Sequence, residues 1–292
     1  MKNKDLAKRI ATDIDHWCLK ALSSDFRSHL GASVIGNACS RYLWYSFRWI
    51  HKELHNARQL RLFNRGHREE PAMTAYLRGI GCQVWDVDTN QPQNEKGEYP
   101  QFRVSGVNGH FGGSLDAIVI LPERYGIPEP MSFSYKTQGT GRGFTDLSAK
   151  GLLLTKPIHH IQESVYCYKM GFKKYGYISV NKNDDDLFVD VQEADWSEAE
   201  RSEQKAHRII FSKEPPSKLA ENSSYSACQT CNMRQVCHED LEPAKNCRSC
   251  KYAEPVDNGQ WLCTGYNQII PDTVIRNGCD NWIPIVNSRQ GT

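Results

Sequence analysis

The chain lacks any apolar run of the roughly 18 residues that a membrane-spanning helix needs, and its first residues lack the apolar core of a secretory leader. The expectation is a cytoplasmic protein without a membrane role. It also has little net charge: 36 Lys and Arg against 34 Asp and Glu leave +2 over 292 residues. Whole-chain charge therefore does not announce nucleic acid, and local distribution has to carry any such argument. No Gly-x-Gly-x-x-Gly fingerprint or phosphate loop is present, which argues against a doubly wound dinucleotide fold, and no Gly-x-Ser-x-Gly elbow supports serine-hydrolase chemistry. What remains is a chain long enough to bury a full core, read as one principal domain with an appendage.

Hydrophobic periodicity gives the order of elements. Leu6, Ile10, Ile14, Trp17 and Ala21 predict an amphipathic helix over 3–22, Ser33 reads as the cap of an aromatic-rich segment over 34–50, and a third helix spans about 64–77 despite Pro71. Residues 82–88 alternate as a strand, 89–99 form a polar loop, and a further strand lies near 102–106. Residues 112–138 read as a hairpin-like pair around a Gly/Pro turn at 125–130, with Asp116 in its first strand and Lys136 ending its second. A glycine-rich stretch over 139–156 with one short helix, a helix from Pro157 to Met170, strands over 175–180 and 187–191, and a charged helix from Trp196 to Phe211 complete the body. The fold class is α/β, a central mixed sheet flanked by helices, followed by a cysteine-rich tail.

Basic residues concentrate in one stretch. Arg41, Arg48, Lys52, Arg58, Arg61, Arg65 and Arg68 are interleaved with Tyr42, Trp44, Tyr45, Phe47 and Trp49. Cations neutralise phosphates and aromatic faces stack on bases, so this is a candidate track for single-stranded nucleic acid, with Arg41, Arg48, Arg61, Arg65 and Arg68 as its DNA contacts. The competing reading is an amphipathic helix with its aromatics in the core.

Carboxylates and thiols supply the remaining candidates. Glu70 on a helix, Asp116 on a strand and Lys136 on its partner suit a hard cation with an open position for water and phosphate. Gln162 and Tyr166 lie four apart and share a helix face. The eleven cysteines are clustered as metal ligands would be, rather than as secreted disulfides. Cys228-x2-Cys231-x5-Cys237 needs a fourth ligand, while Cys247-x2-Cys250-x12-Cys263-x15-Cys279 is a complete four-thiolate set of the kind that closes a structural Zn²⁺ site, with Trp261 and Trp282 as its small core. Cys18, Cys82 and Cys167 read as buried core residues. His67, beside the Glu70 turn, is a minor candidate, and His159 and His160 read as exposed imidazoles at a helix start.

In this order, Gly66 to Glu70, Gly113 to Asp116, Ser134-Tyr135-Lys136 and Gln162 to Tyr166 resemble the motifs of the PD-(D/E)XK nuclease superfamily, in its RecB-like and lambda-exonuclease-like branch. Lys136-Thr137 and Lys156-Pro157-Ile158-His159 look most like phage-type exonucleases of that branch. The resemblance covers roughly residues 30–240 and implies a restriction-endonuclease-like core. It further implies Mg²⁺ or Mn²⁺ held by Glu70, Asp116 and the Tyr135 carbonyl, Lys136 orienting the attacking water, and Gln162 and Tyr166 positioning the strand. It implies DNA ends, single-stranded or duplex, as substrate, and a single-strand annealing or other recombination protein as partner in a phage- or bacterium-encoded system.

One early cysteine with a late trio resembles the iron–sulfur staple of related helicase-nucleases, which implies a 4Fe–4S cluster on Cys39, Cys228, Cys231 and Cys237. Structural zinc, with His238 as a substitute ligand, is the alternative. The domains are then 1–240, closed by the cluster, and a 241–292 metal-binding appendage. One position departs from the pattern: Ser134 stands where Glu-x-Lys has its acid. The chain is then an engineered or natural inactive form, a DNA-binding or protein-interaction module, or an enzyme with a relocated acid. Glu163 is the candidate for that acid, against the commoner reading of a solvated helix-surface glutamate.

Overall fold

The computed structural model describes residues 3–23, 25–141 and 143–286. The first helix, α1 (Asn3–Ala21), has its apolar stripe exposed, with Cys18 its buried residue. A two-residue strand, β1 (Leu30–Gly31), leads into the single turn α2 (Ala32–Ile35) and then α3 (Ser40–Phe47). The continuous segment expected over 34–50 is thus broken. Gly36 ends α2, and Cys39 starts α3 as its N-cap, its Sγ accepting from the Tyr42 N–H at 3.4 Å.

The next helix, α4 (Ala57–Gly79), starts a full two turns before the expected position because Asn56 and Gln59 form a reciprocal capping box, each bond 2.9 Å. Such a cap contributes about 1 kcal/mol. Pro71 lies inside this helix.

Three further strands follow: β2 (Gln83–Trp85), β3 (Arg103–Gly106) and β4 (Phe111–Ser114). The hairpin β5 (Ala117–Ile120) and β6 (Met131–Gln138) is antiparallel, with Ala117 opposite Phe133 and Val119 opposite Met131. Where one strand was expected before the turn there are two, and they belong to different sheets: β4 pairs with β1 and β3, and β5 with β2 and β6. Asp116 is consequently not within a strand but at the break between them. Lys136 lies two residues before the end of β6.

Two short helices, α5 (Phe144–Lys150) and α6 (Leu152–Thr155), occupy the glycine-rich stretch and lead into α7 (Pro157–Met170). Proline at the start of α7 has no amide to leave unpaired, and Gly171 ends the helix at φ 74. Next come β7 (Lys174–Asn181), β8 (Leu187–Glu193) and α8 (Trp196–Phe211). The central sheet runs β2-β5-β6-β7-β8, with β6 and β7 parallel across the α5–α7 crossover and its other neighbours antiparallel.

Strand alternation divides β6 between two layers. Met131, Phe133 and Tyr135 pack with Met73 and Leu77 of α4, while Ser132, Ser134 and Lys136 face α7. The register places Gly176 of β7 opposite Phe133, where a Cβ would lie 2.2 Å from the ring, so the aromatic ring lies across a position that no larger residue could occupy.

The tail carries α9 (Ser226–Gln229), α10 (Arg234–His238) and an antiparallel sheet of β9 (Ala253–Pro255), β10 (Trp261–Cys263) and β11 (Gln268–Ile269). Its apolar residues do not form a core of their own. Ala253, Trp261, Ile270 and Ile275 belong to the same buried cluster as Trp44, Phe47 and Trp49.

Candidate active site and cysteine centres

β5 pairs with β6 no further than Ala117 opposite Phe133, so the Tyr135 N–H lies beyond the last rung of that ladder. The Asp116 carboxylate takes this place: Oδ2 accepts from the Tyr135 N–H at 2.8 Å and stands 3.4 Å from Lys136 Nζ. The break in the chain at residues 115–116 is therefore what aims the acid at β6. Glu70 approaches from α4, half-buried, with His67 Nδ1 3.1 Å from its Oε1. Burial first, and then the Asp116 charge, push the Glu70 carboxyl above its ordinary range.

Glu163 overturns the surface reading. It is 1 % exposed, on the face of α7 that covers β6, and its Oε2 accepts a 2.6 Å hydrogen bond from Ser132. Burial pushes its carboxyl up to about 7; Lys136 and Ser132 oppose this and Asp116 adds to it. Ser134 lies on the same face of β6 between Ser132 and Lys136, 1 % exposed, close enough to favour the ionised Glu163 but without a hydrogen bond of good geometry to its Oγ. Three carboxyls thus surround one lysine, with Asp116 the shared neighbour of Glu70 and Glu163.

Gln162 and Tyr166 are also drawn in, 8 % and 4 % exposed. Gln162 faces the Tyr166 hydroxyl, which lies against β4. A Cβ on Gly113 would stand 2.4 Å from that hydroxyl, so the glycine three residues before Asp116 is what lets α7 close on the strand. The helix-start histidines are not free. His159 Nδ1 is 2.9 Å from the Tyr177 hydroxyl and His160 Nδ1 2.7 Å from that of Tyr175. Burial, then Lys136 and Lys156, lower His159 to about 4 and keep it neutral.

The proposed DNA arginines separate. Arg48 is 1 % exposed, donates to the Ala253 and Ser212 carbonyls at 2.6 and 3.4 Å, and stacks on Trp44 and Trp261. It faces no solvent and is removed from the set of DNA contacts. Arg41 stacks on Tyr45, Arg61 pairs with Asp15 at 2.5 Å, and Arg65 lies 3.5 Å from Glu69. Arg68 is exposed on α4. Trp44, Tyr45, Phe47 and Trp49 are buried, so the aromatics of this stretch are core rather than a stacking platform.

Each cysteine quartet lines a single cavity. Cys39, Cys228, Cys231 and Cys237 line one cavity of about 260 Å³ together with Tyr42, Tyr45 and His238. Cys247, Cys250, Cys263 and Cys279 line another of about 680 Å³ with Tyr252 and Trp282. All eight are free thiols. Burial, reinforced by Cys279, Cys250 and Cys263, raises Cys247, because each neighbouring thiolate disfavours a further negative charge. The donor chemistry of both quartets fits soft-metal ligation. Among the described residues, however, no three Cys, His, Asp or Glu side chains stand at the spacing of a single bound ion. Binding would have to draw them inward. Cys18, Cys82 and Cys167 are buried.

No protein-family model matches the chain, and no curated protein matches it. Among solved structures it is similar to LHK-Exo, an alkaline exonuclease from Laribacter hongkongensis. In the complex with dAMP the identity is 17 % and the TM-score 0.41; a second LHK-Exo crystal structure gives 17 % and 0.39, and each match covers 67 % of this chain and 90 % of that one. SSO0001 is similar at 14 % identity and TM-score 0.43, over 78 % of this chain and 96 % of that one. These likenesses are too distant to assign the chain to a family.

Proposed function

We propose that the chain is a metal-dependent deoxyribonuclease acting on DNA ends, in which Glu163 supplies the acid that Ser134 does not. The observation that carries this reading is the buried Glu163 carboxyl, aimed from α7 at the β6 face of Ser132, Ser134 and Lys136. A carboxyl buried with one hydroxyl donor and a lysine nearby is still costly to ionise, and such groups cluster at functional sites. Glu70, Asp116, Glu163 and the Tyr135 carbonyl would hold Mg²⁺ or Mn²⁺, which when bound polarises a phosphate and acidifies a water.

The residues of the chain do the rest. Lys136, held near Asp116, orients the water and meets charge developing on phosphate. Gln162 and Tyr166 position the strand from one face of α7. His159, neutral and fixed by Tyr177, offers its outer ring nitrogen as an uncharged hydrogen-bonding group beside Lys136. Arg65 and Arg68 on α4 are the proposed phosphate contacts, with Arg61 and Arg41 at the margin. The first quartet is proposed to hold a 4Fe–4S cluster and the second Zn²⁺, both structural. A recombination partner and a cytoplasmic site of action belong to the same proposal.

A second reading, a DNA-binding or protein-interaction module that does not cut, is favoured by the neutral Ser134 and by the absence of a carboxylate trio at ion spacing among the described residues. End-labelled single- and double-stranded DNA with Mg²⁺ or Mn²⁺ separates the two. Nucleotide release by the native chain, lost in Lys136→Ala, supports the enzyme. Tight binding with no release by either the native chain or Ser134→Glu supports the module.

A further inference from the structure

We infer that the two cysteine quartets are mechanically linked through α3, with Arg248 as the connecting side chain, so that closing the second quartet on a metal orders the helix that presents Cys39 to the first. The inference rests on the reading of the second quartet as a metal site. It adds a coupling between the two centres that neither set of ligands implies alone.

Arg248 lies inside the Cys247-x2-Cys250 knuckle, yet it does not face the cavity that the four thiols line. It is 1 % exposed and projects the other way, into the core. Its guanidinium lies 4.5 Å from the centroid of Phe47, 4.2 Å from Trp49 and 4.5 Å from Trp261. It donates to the Ser28 carbonyl at 2.8 Å and to the Phe47 carbonyl. Phe47 is the last residue of α3, and Cys39 is its N-cap. Eight helical residues therefore separate a ligand of one quartet from a carbonyl that the knuckle of the other quartet holds.

The neighbours of Arg248 tighten the same joint. Ser249, 0 % exposed, donates to Ala244 and accepts from the Trp282 indole at 3.1 Å, and the Asn246 amide donates to the Trp49 carbonyl at 3.0 Å. Arg48 crosses in the opposite direction, from the segment just after α3 to the Ala253 carbonyl at the start of β9. Two guanidiniums, one from each side, stack on the single Trp261 ring.

A buried cation without a carboxylate partner is tolerated only while its carbonyl and aromatic partners stay in place. The knuckle backbone sets where Arg248 starts, and a metal held by Cys247, Cys250, Cys263 and Cys279 would fix that backbone. Loss of the metal frees the knuckle, and the last turn of α3 loses its cap from Arg248.

Hydrogen–deuterium exchange of the full chain, resolved to peptides, tests the link, with metal content measured on the same samples. Cys279→Ser removes the exposed thiol of the second quartet while leaving the backbone bond from Trp282 to residue 279 in place. It is expected to lose one metal equivalent and to raise exchange in residues 40–47 about tenfold, with the β5–β6 hairpin unchanged. Arg248→Lys is expected to keep that metal and still raise exchange in α3. Unchanged α3 exchange in both variants overturns the link, and so does a uniform rise that includes the hairpin. Equal metal content in the native chain and Cys279→Ser overturns the metal reading and with it the metal-driven ordering of α3, and Arg248→Lys then reports on the Arg248 joint by itself.

Discussion

Replacing Glu163 with Gln should stabilise the protein above neutral pH and remove a pH dependence that the native chain carries. The folded carboxyl titrates near 7, against an ordinary value of 4.5, because burial disfavours its charged form. Between those values the folded state binds more protons than the unfolded one, so stability falls as pH rises through this window and is level outside it. At about 1.4 kcal/mol per pH unit, the full span is about 3.5 kcal/mol at most, on the order of 5 °C in Tm. Glutamine keeps the size and still accepts from Ser132, but it does not ionise. Urea unfolding at pH 4.5, 6, 7 and 8 without added Mg²⁺ measures the effect. The two proteins should unfold alike at pH 4.5 and diverge above 5, with the variant more stable and most of the gap present by pH 8. Added Mg²⁺ should narrow the gap by stabilising the native carboxylate. A difference that does not vary with pH would refute the assignment of this titration to Glu163.

Other expectations follow from single contacts. Gly113→Ala places a methyl group against the Tyr166 hydroxyl and should cost about 1–3 kcal/mol in thermal or urea unfolding, partly recovered by adding Tyr166→Phe. Arg48→Met removes a buried cation while keeping much of its packing, so its Tm should change much less than that of Trp261→Ala, which empties a core site at about 3–5 kcal/mol. If the first quartet holds a 4Fe–4S cluster, the purified protein should absorb in the visible, and Cys237→Ser should lose that band together with its iron. Arg68→Ala should weaken DNA binding and reduce its salt dependence, whereas Arg48→Lys should leave the salt slope untouched.

Much of the fold was legible because local signals and tertiary packing agree. Pro157 and Gly171 bracket α7, and two apolar runs around a Gly/Pro turn identified the hairpin of β5 and β6. The site was less legible where the decisive feature is nonlocal. Nothing near Asp116 signals that β4 and β5 enter different sheets, yet that break is what turns its carboxylate toward Tyr135. Glu163 reads as a surface residue because glutamates usually are, and its burial depends on β6 presenting two serines to α7. The aromatic and basic stretch misled for the opposite reason. Its composition suits a nucleic-acid track, but the appendage supplies Trp261 and the Ala253 carbonyl, which draw Arg48 and the aromatics inside. The convergence of Cys39 with a trio almost two hundred residues later was visible only through resemblance, since spacing cannot place so distant a ligand.

The most direct measurement is the rate of nucleotide release from end-labelled DNA with Mn²⁺ for the native chain and Glu163→Gln, each also assayed for DNA binding. The native chain is expected to cut, and the variant to bind as well while cutting at least a hundredfold more slowly. Equal cutting by both would contradict the role given to Glu163, and tight binding without cutting by either would contradict the enzyme.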